Sequence, residues 1–115
     1  MNQSGVSDFD IFIAERIMGW QVNRRRRVYS DPDATFFARM LDIPSFSMDE
    51  RAAEIYLTRA KELGAKIDVL PERHGIITLY NAVCDFEGRV ERSQRERKSL
   101  AVAEAVCASF GLVGT

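Results

Sequence analysis

The sequence predicts an α+β fold, a helix-covered antiparallel or mixed sheet of three or four strands in the order α-β-α-β-β-α, α/β/α sandwich-like in its layering. Three observations lead there. Three segments carry apolar residues at helical spacing behind polar capping residues. Between the second and third lie two strand-like runs, Ala65 to Leu70 and Ile76 to Phe86, joined by a short turn. No repeat or low-complexity linker interrupts the 115 residues, so residues 1–115 read as one domain, with 1–6 and 111–115 expected to be flexible ends.

The first helix is expected from Asp8 to Met18. Ser7 is positioned to cap it, and Asp8 and Asp10 suit the positive end of the helix dipole. Phe9, Phe12, Ile13 and Ile17 share one face, and Gly19 supplies a stop. Trp20 and Val22 share alternation parity and begin a strand. Arg24 to Arg27 then fit a solvent-exposed edge or hairpin, and Ser30-Asp31-Pro32-Asp33 is a turn signal. Ala34 to Leu41, with Phe36, Phe37, Met40 and Leu41, reads as a short helical turn or an irregular apolar flap.

Ile43-Pro44 is extended, because the residue before proline avoids helical angles. The second helix is expected from Met48 to Leu63, opened by a capping box of Ser47 and Glu50. Its inward face would hold Ala52, Ile55, Tyr56, Ala60 and Leu63. Pro71 to Gly75 reads as the hairpin connection. A third short strand is placed around Arg89 to Arg92. Ser93 and Glu96 repeat the capping-box spacing before a C-terminal helix through Leu100, Ala103, Val106, Cys107 and Phe110. Trp20, Ile55, Val69, Leu79, Val106 and Phe110 are expected to form the core.

Composition narrows the function. Apolar residues are 46% and charged residues 29%, ordinary for a folded domain. With 16 basic and 17 acidic residues the net charge is −1, which excludes a polycationic binder. Charge is nevertheless segregated: residues 1–30 carry net +2 and residues 31–64 net −3. No apolar run reaches the roughly 18 residues a membrane helix needs. The polar, acidic start has no signal pattern, so a cytoplasmic location is expected and no membrane partner. Cys84 and Cys107 sit in apolar runs and read as buried, reduced thiols. His74 is the one histidine and reads as an exposed loop residue. Asp49, Glu50 and Glu54 lack a histidine partner and read as dipole-favoured charges. No phosphate-binding loop, nucleophile elbow or zinc spacing is present, so no catalytic residue, metal or cofactor is expected.

Arg24, Arg25, Arg26 and Arg27 are the strongest local signal. Four consecutive guanidiniums cannot all be buried and would meet phosphates or acidic groups, or stand as a solvated hairpin balanced by Asp31, Asp33 and Asp42. Arg92, Arg95 and Lys98 would share one side if they lie at a helical first turn, where a bound anion would relieve their charge. Phe36 and Phe37 could form an exposed contact patch, although core or dimer packing is the commoner fate of such residues.

Ile13-Ala14-Glu15-Arg16-Ile17-Met18-Gly19-Trp20 resembles the opening of the phage ABA sandwich domain family. Ile43-Pro44-Ser45-Phe46-Ser47 is similar to that family's lead into its second helix. Ala52-Ala53-Glu54-Ile55-Tyr56 through Leu63-Gly64 is similar to that helix, and Ala101 to Cys107 to its closing alanine-rich one. The resemblance runs from about Ile11 to Phe110. The arginine block departs from the family pattern, and Ile67-Asp68-Val69-Leu70 has fewer aromatics than the corresponding strand. The resemblance implies an α/β sandwich of phage or prophage origin and carries no catalytic residues. With the charge pattern it leads to an expected function: a non-enzymatic accessory protein binding a host or phage protein, inhibition of host defence being the concrete version by analogy. The alternative is nucleic-acid binding through Arg24 to Arg27 and Arg89 to Lys98. The partner-binding residues expected are Arg24, Arg25, Arg26, Arg27, Phe36, Phe37, Arg92 and Arg95.

Overall fold

A computed structural model describes residues 7–112. The expected ends at 1–6 and 113–115 lie outside the described residues, while Leu112 N donates to Cys107 O at 2.9 Å and its side chain packs on the core. Helix α1 spans Asp8–Phe12 and runs directly into a π-helical segment, Ile13–Ile17. Ser7 caps α1 as the sequence predicts, accepting from Asp10 N at 3.1 Å. The π segment is bonded i to i+5, from Met18 N to Ile13 O at 3.0 Å, and it buries Ile13, Ala14 and Ile17 together.

A small antiparallel sheet follows, made of β1 (Gln21–Asn23), β2 (Val28–Ser30) and β3 (Phe37–Arg39) in that order. The segment expected as a helical turn or flap thus contributes a third strand, and the helical turn exists only as a 3-10 turn, Met40–Asp42. Tyr29 anchors this sheet to the core: it is buried and stacks on Trp20, with ring centroids 5.2 Å apart.

Helix α2 spans Glu50–Glu62. The expected capping box does not form. Asp49 is the cap, accepting from Arg51 N at 2.9 Å. Ser47 is buried upstream, where its N–H donates to Oδ1 of the buried Asp10 at 2.8 Å and its hydroxyl lies 3.3 Å from that of Ser7. It ties the lead into α2 to the start of α1. The inward face of α2 is Ala53, Tyr56 and Ala60, a rotation from the expected stripe that leaves Ile55 51% exposed.

The second sheet is antiparallel, β4 (Lys66–His74), β5 (Ile77–Phe86) and β6 (Arg89–Arg95). Strand β4 runs through Pro71, opposite Tyr80, up to the His74–Ile77 pair, so the expected Pro71–Gly75 connection shrinks to Gly75-Ile76. An edge strand tolerates proline because its outer N–H owes no ladder bond. Gly75, at φ +67, allows the tight turn. Strand β6 extends to Arg95, and Ser93 lies within it rather than capping a helix; its hydroxyl donates to Glu104 Oε1 at 2.7 Å.

Helix α3 (Lys98–Ser109) packs across the second sheet and also contacts α1 and α2. Its buried residues, Ser99, Ala101, Val102, Ala103, Ala105, Val106, Cys107 and Ser109, surround the helix. A helix apolar all round belongs inside, and alanine lets its neighbours approach closely. Phe110 stacks on Phe86 at 3.8 Å. Of the expected core, Val106 and Phe110 are buried, Trp20 and Val69 pack partly buried against it, and Ile55 does not belong to it. Leu79 is half-buried; alternation from the buried Ala82 and Cys84 puts it on the other face of β5. The α+β class stands, with six strands divided between two sheets where three or four in one were expected.

Candidate binding site

The arginine block is the connection between β1 and β2, not part of a strand, so alternate arginines do not sort onto opposite faces as a strand would require. Asn23 shapes the turn, its side-chain carbonyl accepting from Arg26 N at 3.0 Å. Arg27 closes it in the left-handed region, at φ +57, and its carbonyl accepts from Met40 N at 2.8 Å. All four arginines are exposed. Arg24 pairs with Glu15 at 2.7 Å. Arg25, Arg26 and Arg27 have no ion pair among the described residues.

Two of the three aspartates expected to balance the block, Asp31 and Asp42, are held elsewhere. Asp42 pairs with Arg39 at 3.2 Å. Asp31 accepts from Thr35 N at 2.6 Å and from the Thr35 hydroxyl, and that hydroxyl bond holds its carboxyl below the usual range. Tyr29 is shifted upward, first by burial and then by the nearby Asp42 charge.

Register decides what accompanies the arginines. Val22, Tyr29 and Ala38 are level across the three strands and face the core. Alternation puts the two flanking rows on the outer face: Gln21 and Phe37 in one, with Ser30 between them buried, and Asn23, Val28 and Arg39 in the other, next to the turn. Phe37 is 72% exposed there. Phe36 turns the other way, its ring edge-on to Tyr29 at 5.9 Å. A shallow groove of about 630 Å³ runs along this face, lined among others by Gln21, Asn23, Arg24, Arg25, Arg26 and Phe37, with no carboxylate in its lining.

Arg92 and Arg95 are on β6, not on a helical turn with Lys98. Arg95 pairs with Glu104 at 2.6 Å, which raises the guanidinium further above its ordinary value. Both border a separate groove of about 800 Å³ between Ser7–Phe9, β6 and α3. The structure therefore joins the arginine turn to Phe37 and leaves Arg92 and Arg95 apart. Gln21, Asn23 and Ser30 were not singled out from the sequence. The inward parity of Trp20 and Val22 was the available signal, since it puts Gln21 and Asn23 outward. His74 is exposed as expected but ends strand β4, opposite Ile77, rather than lying in a loop, and its ring is 3.0 Å from Glu72; both cysteines are free and buried, as expected.

No protein-family model and no curated protein matches the chain. Among solved structures, its fold is similar to the crystal structure of a phage protein from Bacillus cereus ATCC 14579. The TM-score is 0.72 at 17% identity, over 100% of this chain and 93% of that one. The likeness defines a shared α+β fold. Among the described residues no helix is long and apolar enough to cross a membrane.

Proposed function

We propose that this chain is a non-enzymatic phage or prophage accessory protein that works by binding an anionic partner through the outer face of β1–β3. One observation carries the reading: two guanidiniums without ion pairs among the described residues, Arg25 and Arg26, share with a largely exposed phenylalanine a groove whose lining holds no carboxylate. Leaving such a phenylalanine in water forgoes burial worth about 2 kcal/mol, and the adjacent arginines repel one another. A partner that is acidic and offers an apolar surface relieves both costs. Phage origin is supported by the resemblance to the phage ABA sandwich domain family and by the fold likeness to the Bacillus cereus phage protein. Action in the host cytoplasm, on a host or phage protein and in the concrete case on a host defence, belongs to this proposal by analogy with other small phage proteins.

Affinity capture from bacterial lysate tests it. The wild type should retain a partner, Arg25→Glu with Arg26→Glu should lose it, and Arg92→Glu should keep it. Retention by the double variant, or loss with Arg92→Glu alone, would move the interface to the β6 groove.

A further inference from the structure

The outer face has a more specific chemistry than positive charge, and the next step rests on reading it as the binding face. Gln21 Nε2 donates to Pro32 O at 3.1 Å, which leaves its Oε1 as an acceptor. Asn23 Oδ1 is held by Arg26 N, which leaves its Nδ2 as a donor. Gln21 shares the Phe37 row and Asn23 the Arg39 row, but both amides are on β1, two strand spacings or roughly 10 Å across the sheet from β3. An exposed ring on β3, amide donors and acceptors across the sheet on β1, and guanidiniums at one end thus line one open groove.

We infer that this groove binds single-stranded nucleic acid, with one base stacked on Phe37 and the backbone running toward phosphate contacts at Arg25 and Arg26 in the groove and at Arg27 next to them in the turn. Base stacking on an aromatic side chain combined with a positively charged track is how unpaired strands are held without sequence preference. A duplex hides the faces of its bases and cannot use Phe37. A purely acidic protein surface satisfies the guanidiniums and leaves the ring without a partner; a protein that also offers an apolar patch is the competing outcome of the test below. The distance from the Phe37 row to the turn, about 7–10 Å at the rise of a strand, accommodates two or three nucleotides. The net charge of −1 restricts attraction to this patch, so affinity should be modest.

Fluorescence anisotropy with a short labelled oligothymidylate, and with the same length of duplex, tests this. Single-stranded DNA should bind, with log K falling against log salt at a slope of about −1.5 to −2, the value for two or three phosphates. Phe37→Ala should weaken binding on the order of 5- to 100-fold with the slope unchanged, and Phe37→Trp should restore it. Arg25→Gln with Arg26→Gln should flatten the slope by about 1.4. Thermal melts of all three variants should match the wild type, since the replaced groups are exposed. Preference for the duplex, or indifference to Phe37→Ala, overturns the inference. An oligonucleotide that fails to bind, while a protein is captured through Arg25 and Arg26, overturns it too and leaves the binding face in place. Failure of both removes the face itself.

Discussion

Tyr56 is fully buried, and its hydroxyl has no hydrogen-bond partner among the described residues. An unpaired buried hydroxyl costs its desolvation without return, so Tyr56→Phe should leave stability unchanged or raise it by up to about 1 kcal/mol in urea melts; a loss above about 1 kcal/mol would show that the hydroxyl is bonded. The thiols make a second test. Burial pushes both Cys84 and Cys107 above the ordinary thiol range, and a hydroxyl bond from Ser109 to Cys84 at 3.0 Å only partly offsets this. The neutral thiol is therefore favoured in the folded state. Stability should be complete below about pH 8.5 and fall as pH rises further, because unfolded thiols ionise there and folded ones do not. A thiol reagent at pH 8 should react only after denaturant is added; rapid reaction with the native protein would mean that one cysteine is accessible.

Helix α2 shows what an element owes to its neighbours. Its sequence satisfies helical spacing on two overlapping stripes, one through Ala52 and Ile55 and one through Ala53, Tyr56 and Ala60. Packing selected the second, which seats Tyr56 edge-on to Phe46 at 5.5 Å. Ile55→Ala should thus cost under about 1 kcal/mol, while Phe110→Ala, which unstacks Phe86, should cost about 3–5 kcal/mol. Asp49→Ala should cost about 1 kcal/mol for the lost cap. Denaturant melts separate these, and equal losses at Ile55 and Phe110 would contradict the assigned face. The same dependence explains β4 and β6. Pro71 reads locally as a turn and is permitted in a strand only because β4 is an edge, and Ser93 reads as a cap until β6 pairs with β5.

Across the molecule, periodicity marked the three helices, a capping signal only the first of them, and the residue pattern the hairpin from Ala65 to Phe86 and the exposure of the arginines. They did not mark the division into two sheets. Strands β1, β2 and β3 have three residues each, too few for a pattern, and only their register reveals one sheet. The candidate site was half legible for the same reason. Arg24 to Arg27 and Phe37 each stood out as residue types, but their placement on one face depends on β2 pairing with β3 across a turn held by Asp31 and Thr35.

That juxtaposition is the central claim, and a nuclear magnetic resonance footprint measures it most directly. Uniformly ¹⁵N-labelled protein titrated with the short oligothymidylate should show amide shifts concentrated at Gln21, Asn23, the Arg24–Arg27 turn and Phe37, with β6 and α3 unmoved. Shifts centred instead on Arg92, Ser93 and Arg95, in the groove beside α3, would contradict it.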